Sequence, residues 1–273
     1  MRTTNVPVNT SFSGSIPQHY DTHLGPLFFE PFAIHIAEHI ATLAPVAVLE
    51  LACGTGRLTR HLDARLDPST RIVATDVNPA MLGFAREAMN ERGIEWGTVD
   101  AVELPYADAQ FDVVVAQFGV MFYSDRIRAY REALRVLRPG GRLIFSCWNT
   151  IEENPAARIT QEVVELFFPV DTPAFYQVPF AYHDRGLIRE EVLLGGFQRV
   201  ALNIITLEGH AVTAAAAAQG LLEGSPIHTS IIDRDPFLLP TMREVLATHL
   251  AERFGEHDLR VPLSAWLVEA RKA

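Results

Sequence analysis

The sequence feature that most constrains the fold is a short apolar run that ends in a glycine-rich turn. The run VLELACGTG at positions 48–56 is followed by the amphipathic segment RLTRHLDARL at 57–66. An apolar run of this length is typical of a buried strand, and the spacing after the turn predicts a helix. A strand that turns through glycine into a helix places backbone N–H groups beside a ligand. The segment therefore predicts a binding loop at the carboxyl end of a parallel strand.

Strand-like and helix-like segments alternate up to position 148. A helix is expected at 28–43, because apolar residues recur there at steps of three and four. Further strands are predicted at 71–77, 93–101, 111–120 and 142–148, with helices at 78–93, capped by Gly93, and at 130–136. Strands that alternate with helices form parallel sheets with right-handed crossovers. The pattern predicts an α/β fold with a Rossmann-like parallel sheet and helices on both faces.

The later part of the chain is mainly helical. Late strands are predicted at 197–209 and 261–271, the last of them antiparallel, and helical insertions at 151–190 and 211–255. No linker separates these parts into independent units. We expect one domain over 1–273, with a loose arm at 1–27, a cofactor-binding core at 28–150 and a cap formed by the insertions.

Composition excludes several classes of protein. The formal net charge is −10 and no cluster of Lys and Arg is present, so nucleic acid is not an expected partner. No apolar run approaches the roughly 20 residues of a membrane span, and the N-terminal segment lacks the apolar core of a secretory signal. The two cysteines are too few for a disulfide framework. We expect a cytoplasmic protein that acts on a small molecule; the sequence does not indicate its oligomeric state.

The segment HIAEH at 35–39 matches a zinc-binding pattern. Zinc would need a third protein ligand and a catalytic water, and no residue pattern marks either of them. Two histidines on the flank of an amphipathic helix are the simpler interpretation, and no metal site is expected.

Asp76 ends the second predicted strand, where an acidic side chain meets the ribose hydroxyls of a nucleotide. This position fits an adenosine ribose in either of two cofactors. A dinucleotide fingerprint would require a small residue at position 59, where this chain has Thr59. The mismatch disfavours an NAD(P)-dependent oxidoreductase, although Asp76 alone does not decide between the cofactors.

Four motifs, which follow one another in order along the chain, distinguish between the two possible nucleotide cofactors. They are ELACGTG at 50–56, TDVNPAML at 75–82, DAVELPYADAQFDVVV at 100–115 and LRPGGRL at 137–143. Together they resemble the class I S-adenosylmethionine-dependent methyltransferase family over roughly residues 46–148. The resemblance is greatest to the small-molecule branch that includes the ubiquinone and menaquinone biosynthesis methyltransferases. Ala52 stands where the glycine-rich loop of the family often has glycine.

The resemblance implies S-adenosylmethionine as the cofactor and a role for each matching residue. The loop around its methionine portion would comprise Glu50, Ala52, Gly54 and Gly56. Asp76 would accept hydrogen bonds from the ribose hydroxyls, and Val77 and Met81 would flank the adenine. Asp100 would bond the adenine amino group, with the Ala101 backbone beside it. Gln117 and Phe118 would face the methionine moiety and the reaction centre, and Tyr20, from the arm, is a further expected cofactor-binding residue.

The implied reaction is methyl transfer to a small, partly apolar molecule held under the cap. The protein must align the acceptor in line with the methyl group and exclude water, and it needs a base only if the acceptor must lose a proton. Candidate walls of the acceptor site are His19, Tyr20, Phe118, Met121, Phe122, Tyr123 and Trp148. Weak candidates for a catalytic group are His19, Tyr20, Tyr123 and His183, with His228 as a further histidine. A protein that binds the cofactor without methyl transfer stays an alternative, because fold does not fix function.

Overall fold

The computed structural model describes Phe12, residues 14–89 and residues 93–273. The strands are β1 (Ala47–Leu51), β2 (Arg71–Asp76), β3 (Glu95–Thr98), β4 (Phe111–Gln117), β5 (Leu137–Trp148), β6 (Arg199–Thr213) and β7 (His257–Arg271). The α-helices are α1 (Ile16–His19), α2 (Glu30–Ala41), α3 (Arg57–Arg65), α4 (Pro79–Ala88), α5 (Arg126–Val136), α6 (Pro155–Phe167), α7 (Arg185–Leu194), α8 (Ala214–Glu223), α9 (Ile227–Arg234) and α10 (Leu239–Phe254).

The strands form one seven-stranded sheet in the order β3-β2-β1-β4-β5-β7-β6. The pairs among β1 to β5 are parallel, whereas β7 runs antiparallel to both β5 and β6. All residues of β1 are buried, as expected for a parallel strand covered on both faces. The predicted parallel sheet with an antiparallel final strand is therefore confirmed.

The two late strands are longer than predicted. Strand β6 begins at Arg199 instead of position 197 and continues to Thr213, and β7 begins at His257, so the pairing reaches Thr213 opposite His257. The extra residues of β6 are polar or small, and their pattern did not indicate a strand. They stay in the ladder because β7 supplies partners for their backbone groups. The helical insertion after β6 consequently begins at Ala214, three positions later than the predicted 211.

Helix α4 begins with a side-chain cap and ends earlier than predicted. The Asn78 side chain accepts hydrogen bonds from the backbone N–H groups of Ala80 and Met81, and Pro79 occupies the first turn. The helix ends at Ala88, so the predicted cap at Gly93 is wrong.

The expectation of a loose arm is wrong for residues 14–27, whereas residues 1–11 and 13 lie outside the described part of the chain. Helix α1 continues into π-helical turns over Tyr20–Phe29, in which Leu24 and Leu27 are buried. Two glycines let this segment approach its neighbours: a Cβ on Gly209 of β6 would overlap the Leu27 backbone, and one on Gly220 of α8 would lie 2.8 Å from Leu24 N. In the sequence, polar residues separate the apolar side chains that hold this segment in place, so the sequence pattern did not predict it.

The mainly helical cap is present as predicted. It consists of α6, with the loop that follows it, and of α8 to α10; α10 packs against α6 and α8, and α8 packs against the π-helical turns. The cap and the N-terminal helical segment are thus parts of one packed unit. In the chain as described, no helix combines the length and the apolar content that crossing a bilayer requires.

Candidate functional site

The glycine-rich loop after β1 winds through three left-handed residues. Ala52, Gly54 and Gly56 have φ values of 54°, 56° and 79°. Two of them are glycines, which adopt this conformation without steric cost, whereas Ala52 adopts it at a cost of about 1–2 kcal/mol. The alanine is tolerated as a small residue because Gly119 packs against it: a Cβ at position 119 would lie 2.5 Å from that of Ala52.

A cavity of about 270 Å³ lies at the carboxyl ends of β1, β2, β3 and β4. This is the edge at which open α/β sheets bind ligands. Ten of the residues predicted to bind the cofactor line it: Tyr20, Ala52, Gly54, Asp76, Val77, Met81, Asp100, Ala101, Gln117 and Phe118. Glu50 lines a separate, smaller cavity of about 20 Å³, whose walls share Tyr20, Ala52 and Gln117 with the larger one. The structure thus gathers nearly the whole predicted set around two adjoining cavities.

Gly56 is the predicted residue that lines neither cavity. A Cβ at this position would lie 3.2 Å from Ala85 Cβ and 3.4 Å from Met89 Sδ. The missing side chain of Gly56 therefore allows α3 to begin close to α4. The contact of Gly56 with a cofactor stays a prediction.

Asp76 is held in place by the glycine-rich loop. Its Oδ2 accepts a hydrogen bond of 2.8 Å from Gly54 N, and its Oδ1 accepts one of 2.8 Å from Asn78 N. Burial raises the pKa of this carboxyl above its ordinary value, and the backbone donors oppose that shift. Each carboxylate oxygen retains acceptor capacity. The side chain can therefore accept a further hydrogen bond from a hydroxyl group in the cavity.

Glu50 is buried at the start of the glycine-rich motif and accepts a 2.6 Å hydrogen bond from the Thr59 hydroxyl. Burial raises the pKa of Glu50 to about 8, since the single hydroxyl donor compensates only part of the desolvation. Thr59, which disfavours a dinucleotide fingerprint, thus has a function here: it orients the carboxyl that borders the small cavity. A carboxyl in this state can pair with a cationic group of a ligand.

A second, aromatic compartment adjoins the larger cavity. It measures about 70 Å³ and is lined by Phe12, Tyr20, Leu24, Phe28, Phe29, Phe118, Phe122, Trp148, Phe175, Tyr176, Pro179, Phe180 and Ser225. Four of these residues also line the larger cavity: Phe12, Tyr20, Phe118 and Phe122. We call these four residues the junction. They mark the place where a bound cofactor and an apolar acceptor would meet.

Phe118 forms one wall of the junction in a strained conformation. Its φ is 52°, which is uncommon for a bulky residue. Its ring stacks on Trp148 with the centroids 3.9 Å apart, and its N–H donates to Ser146 Oγ over 3.1 Å. Strained residues that surrounding contacts hold in place concentrate at ligand sites. The backbone here holds an aromatic ring in a wall that both compartments share.

The histidine candidates for catalysis line neither compartment. His19 Nε2 is 3.7 Å from Glu223 Oε2, and His183 Nδ1 is 2.6 Å from the Phe180 carbonyl oxygen. Neither residue lines the cavities described above, nor does His228. Their participation in chemistry stays a prediction that the geometry does not favour.

The two tyrosine candidates do line the larger cavity. Burial raises the pKa of both the Tyr20 and the Tyr123 phenol above the ordinary value. The Tyr123 hydroxyl is buried and has no hydrogen-bond partner among the described residues. Both groups are therefore suited to hydrogen bonding rather than to acting as a base at neutral pH.

Of the other residues predicted to line the acceptor site, some line the compartments and some lie in the core. Met121 is buried and lines neither compartment, whereas Trp148 lines the aromatic one. In the HIAEH segment, His39 Nε2 lies 2.7 Å from Glu269 Oε2. Among the residues that the structure describes, no cluster of three potential ligands could hold a metal ion.

Sequence reasoning missed several residues of the site. Phe12, Phe29, Asn78 and Ser225 line the cavities but were not among the predicted positions. Only Asn78 carried a local signal, since it lies two positions after Asp76 in the second motif. The remaining three come from segments whose position depends on tertiary packing.

Known proteins resemble this chain in sequence and in fold. The model of a methyltransferase domain family matches residues 49–145. A ubiquinone/menaquinone biosynthesis C-methyltransferase from Idiomarina loihiensis is 41% identical over 102 residues, which are 36% of this chain and 41% of the relative. An enzyme of the same name from Ectopseudomonas mendocina is 39% identical over 173 residues, which are 58% of this chain and 68% of that relative. The chain thus spans about two fifths of the Idiomarina relative and two thirds of the Ectopseudomonas one.

A solved structure supports the fold over almost the full chain. Phosphoethanolamine N-methyltransferase 2 from Haemonchus contortus, in complex with S-adenosyl-L-methionine, superposes with a TM-score of 0.59 at 16% identity. The match covers 97% of this chain and 58% of that one. At this identity the likeness concerns the fold alone.

Proposed function

Because this chain belongs to the class I S-adenosylmethionine-dependent methyltransferase family, we propose that it transfers a methyl group from S-adenosylmethionine to a small, partly apolar acceptor. The observation that carries this proposal is the arrangement of the two compartments. A cavity with the Asp76 carboxyl at the strand ends adjoins an aromatic compartment, and the two share the junction residues. One compartment suits an adenosyl cofactor, and the other suits an apolar acceptor.

The residues of the larger cavity fit the proposed cofactor. The buried Tyr123 hydroxyl lacks a partner in the described chain, and Asp76 keeps acceptor capacity on both carboxylate oxygens. An adenosine moiety offers hydroxyl groups to the carboxylate and heteroatoms to the phenol. Met81 and Val77 supply apolar surface for a planar base on the same cavity wall.

S-adenosylmethionine supplies an activated methyl group on a sulfonium. The junction residues position the acceptor against that group and exclude water from between them. Aromatic faces also attract a cation that lies within about 6 Å of the ring. The stacked pair Phe118 and Trp148 would thus favour a cationic sulfonium at the point where the acceptor enters.

The junction lacks a residue suited to remove a proton. Tyr20 is its only ionisable side chain, and burial raises the pKa of that phenol. We therefore propose that the acceptor presents a nucleophilic atom at neutral pH without help from a side-chain base. The chain would accelerate the reaction through alignment and desolvation rather than proton abstraction.

The size of the aromatic compartment restricts how an acceptor enters. Its volume of about 70 Å³ is half that of the roughly 150 Å³ cavities known to hold a benzene ring. A quinone-type ring, which the names of the curated relatives suggest, would therefore have to extend into the junction or displace the cap. We propose that acceptor binding moves the loop that carries Phe175 and Phe180.

We further propose that residues 1–273 act as a single methyltransferase domain in the cytoplasm, with the cap over the acceptor. The formal net charge of −10 supports a small-molecule acceptor over nucleic acid. The arm, the core at 28–150 and the cap insertions would act together, since each of them contributes a wall of the aromatic compartment.

The test is transfer of an isotopically labelled methyl group. Wild-type protein would be incubated with labelled S-adenosylmethionine and a panel of acceptors that contains demethylated quinols, catechols and small amines. We expect label in one apolar acceptor and a loss of at least tenfold in rate at limiting cofactor for Asp76→Ala. Tight binding of S-adenosylhomocysteine without label in any acceptor would instead favour a cofactor-binding protein with another activity.

A further inference from the structure

The aromatic compartment contains a polar side chain that no other part of the described chain binds. Among the described residues that line the compartment, Ser225 is the one without an apolar side chain, and it does not line the larger cavity. The residue is 3% exposed, and its hydroxyl is buried without a hydrogen-bond partner among the described residues. Buried hydroxyls of this kind are costly and uncommon in folded proteins. In an apolar pocket, a few such polar groups fix the orientation of a ligand.

The turn that carries Ser225 is held on both sides. The Gly224 N–H donates to the Gly220 carbonyl oxygen over 2.9 Å, and the Ser225 carbonyl oxygen accepts from the His228 N–H over 3.0 Å. A Cβ on Gly224 would lie 2.6 Å from the Gly220 oxygen and 3.2 Å from the Tyr20 Cα. The glycine therefore lets the N-terminal helical segment pack directly on this turn. With the backbone held in this way, the Ser225 hydroxyl can change its direction only through rotation of its own side chain.

The other hydroxyl that belongs to the aromatic compartment alone is already engaged. Tyr176 lines this compartment and not the larger cavity, and its hydroxyl donates to the Leu221 carbonyl oxygen over 2.8 Å. Tyr20, in contrast, belongs to the junction and lines both compartments. Of the hydroxyl groups that only an acceptor would meet, the one of Ser225 is therefore available for a new hydrogen bond.

We propose that the Ser225 hydroxyl binds an oxygen atom of the acceptor, either a hydroxyl or a carbonyl oxygen on an otherwise apolar ring. A serine hydroxyl can both donate and accept, so it fits either of these groups. No charged side chain among the described residues lines the compartment, which favours a neutral polar group over an ionised one. The bond determines which atom of the ring faces the junction. This assignment rests on the proposed function, because it presupposes that the acceptor occupies the aromatic compartment.

Phenol and toluene test this bond, because the two rings differ by a hydroxyl and a methyl group of similar size. Each would be titrated by NMR into wild type, Ser225→Ala and Tyr176→Phe, with and without saturating S-adenosylhomocysteine. The indole N–H signal of Trp148 reports binding in this compartment, since Trp96 and Trp266 line neither compartment. Tyr176→Phe is the matched control, because it removes from the same compartment a hydroxyl that the protein itself binds.

We expect Ser225→Ala to weaken phenol binding by about 3- to 10-fold, the range of a hydrogen bond between neutral groups. The affinity for toluene should change by less than about twofold. Ser225→Thr, which keeps a hydroxyl, should retain part of the preference for phenol, and Tyr176→Phe should affect both rings alike. The midpoint of urea unfolding should fall for Tyr176→Phe but not for Ser225→Ala, since only the first variant loses a hydrogen bond within the protein.

Three results would overturn the assignment. Equal weakening of both rings by Ser225→Ala would show that Ser225 only shapes the compartment, and an unchanged affinity for phenol would show that another group binds the oxygen. Wild-type protein in which neither ring shifts the Trp148 signal would exclude an aromatic acceptor from this compartment. Failure of the proposed function is distinguishable, because it appears as absent binding of S-adenosylhomocysteine, whereas the titrations of the two rings without that ligand still decide the role of Ser225.

Discussion

The cofactor cavity and the aromatic compartment differ in how the chain builds them. The walls of the larger cavity come mostly from loops directly after β1, β2, β3 and β4, so their residues follow strands that the sequence pattern reveals. The aromatic compartment draws on the N-terminal segment, the loop after β4, the end of β5 and the cap. Short-range patterns therefore encode the first site, whereas tertiary packing alone assembles the second one. This difference predicts that substitutions can affect one compartment without the other.

Trp148→Ala tests that separation with the largest expected effect. Trp148 is 3% exposed, stacks on Phe118 and lines only the aromatic compartment. Removing a buried aromatic ring should lower the free energy of unfolding by about 3–5 kcal/mol, measured by urea denaturation. Because this ring lines only the aromatic compartment, and S-adenosylhomocysteine lacks the sulfonium that the Phe118–Trp148 pair would attract, the folded variant should bind S-adenosylhomocysteine within about threefold of wild type.

Trp266→Ala is the matched control, since the Trp266 ring is only partly buried and its Nε1 donates to the His183 carbonyl oxygen. A smaller loss of stability is expected for this variant. A parallel loss of cofactor affinity in Trp148→Ala would show that the two compartments are energetically coupled, contrary to the comparison drawn above.

The pH dependence of S-adenosylhomocysteine binding tests the cofactor cavity separately from the aromatic compartment. Burial raises the pKa of Glu50 to about 8, so the free protein keeps this carboxyl protonated at pH 6–7. A ligand ammonium favours the ionised form, and binding should release a proton. We therefore expect the affinity for S-adenosylhomocysteine to increase as the pH rises from 6 to 8, by at most about tenfold per unit. Calorimetry in buffers of different ionisation enthalpy measures the released proton directly.

Two controls identify Glu50 as the source of this dependence. Binding of 5′-methylthioadenosine, which has no ammonium, should depend less on pH, and Glu50→Gln should flatten the profile for S-adenosylhomocysteine. An unchanged proton release on ligand binding to Glu50→Gln would assign the pH dependence to another group.

The raised pKa of Glu50 also affects the stability of the ligand-free protein. The folded state binds the proton more tightly than the unfolded state, so the contribution of Glu50 to stability falls as the pH rises from about 4.5 to 8.

The fold was largely predictable from the sequence because its signals are local. The apolar run of β1 predicted a strand, and all residues of that strand are buried. Asp76 at the end of β2 was expected where it lies, at the cavity wall. The helical N-terminal segment was not predicted, because polar residues, two prolines and a glycine interrupt its apolar residues and it packs against β6 and α8.

The aromatic compartment shows why the acceptor side was harder to predict. The cluster of aromatic residues at 175–182 fitted an acceptor pocket and the core of a cap equally well. Phe175, Tyr176 and Phe180 line the compartment, whereas the Tyr182 hydroxyl lies 3.1 Å from that of Tyr130 and its ring stacks under Arg126. Ser225 reaches the same compartment from the turn after α8, without any local signal. Which aromatic side chain faces a ligand depends on contacts between distant segments.

Binding of S-adenosylhomocysteine to wild type and to Asp76→Ala tests the central claim most directly. The claim is that the cavity at the strand ends binds an adenosyl cofactor through Asp76, which the glycine-rich loop holds in place. Calorimetric titration should show micromolar affinity in wild type and a loss of about 10- to 100-fold in the variant, since hydrogen bonds to a charged acceptor disappear. NADH, titrated in parallel, should bind neither protein. Binding of NADH in place of S-adenosylhomocysteine, or an unchanged affinity in Asp76→Ala, would contradict the account.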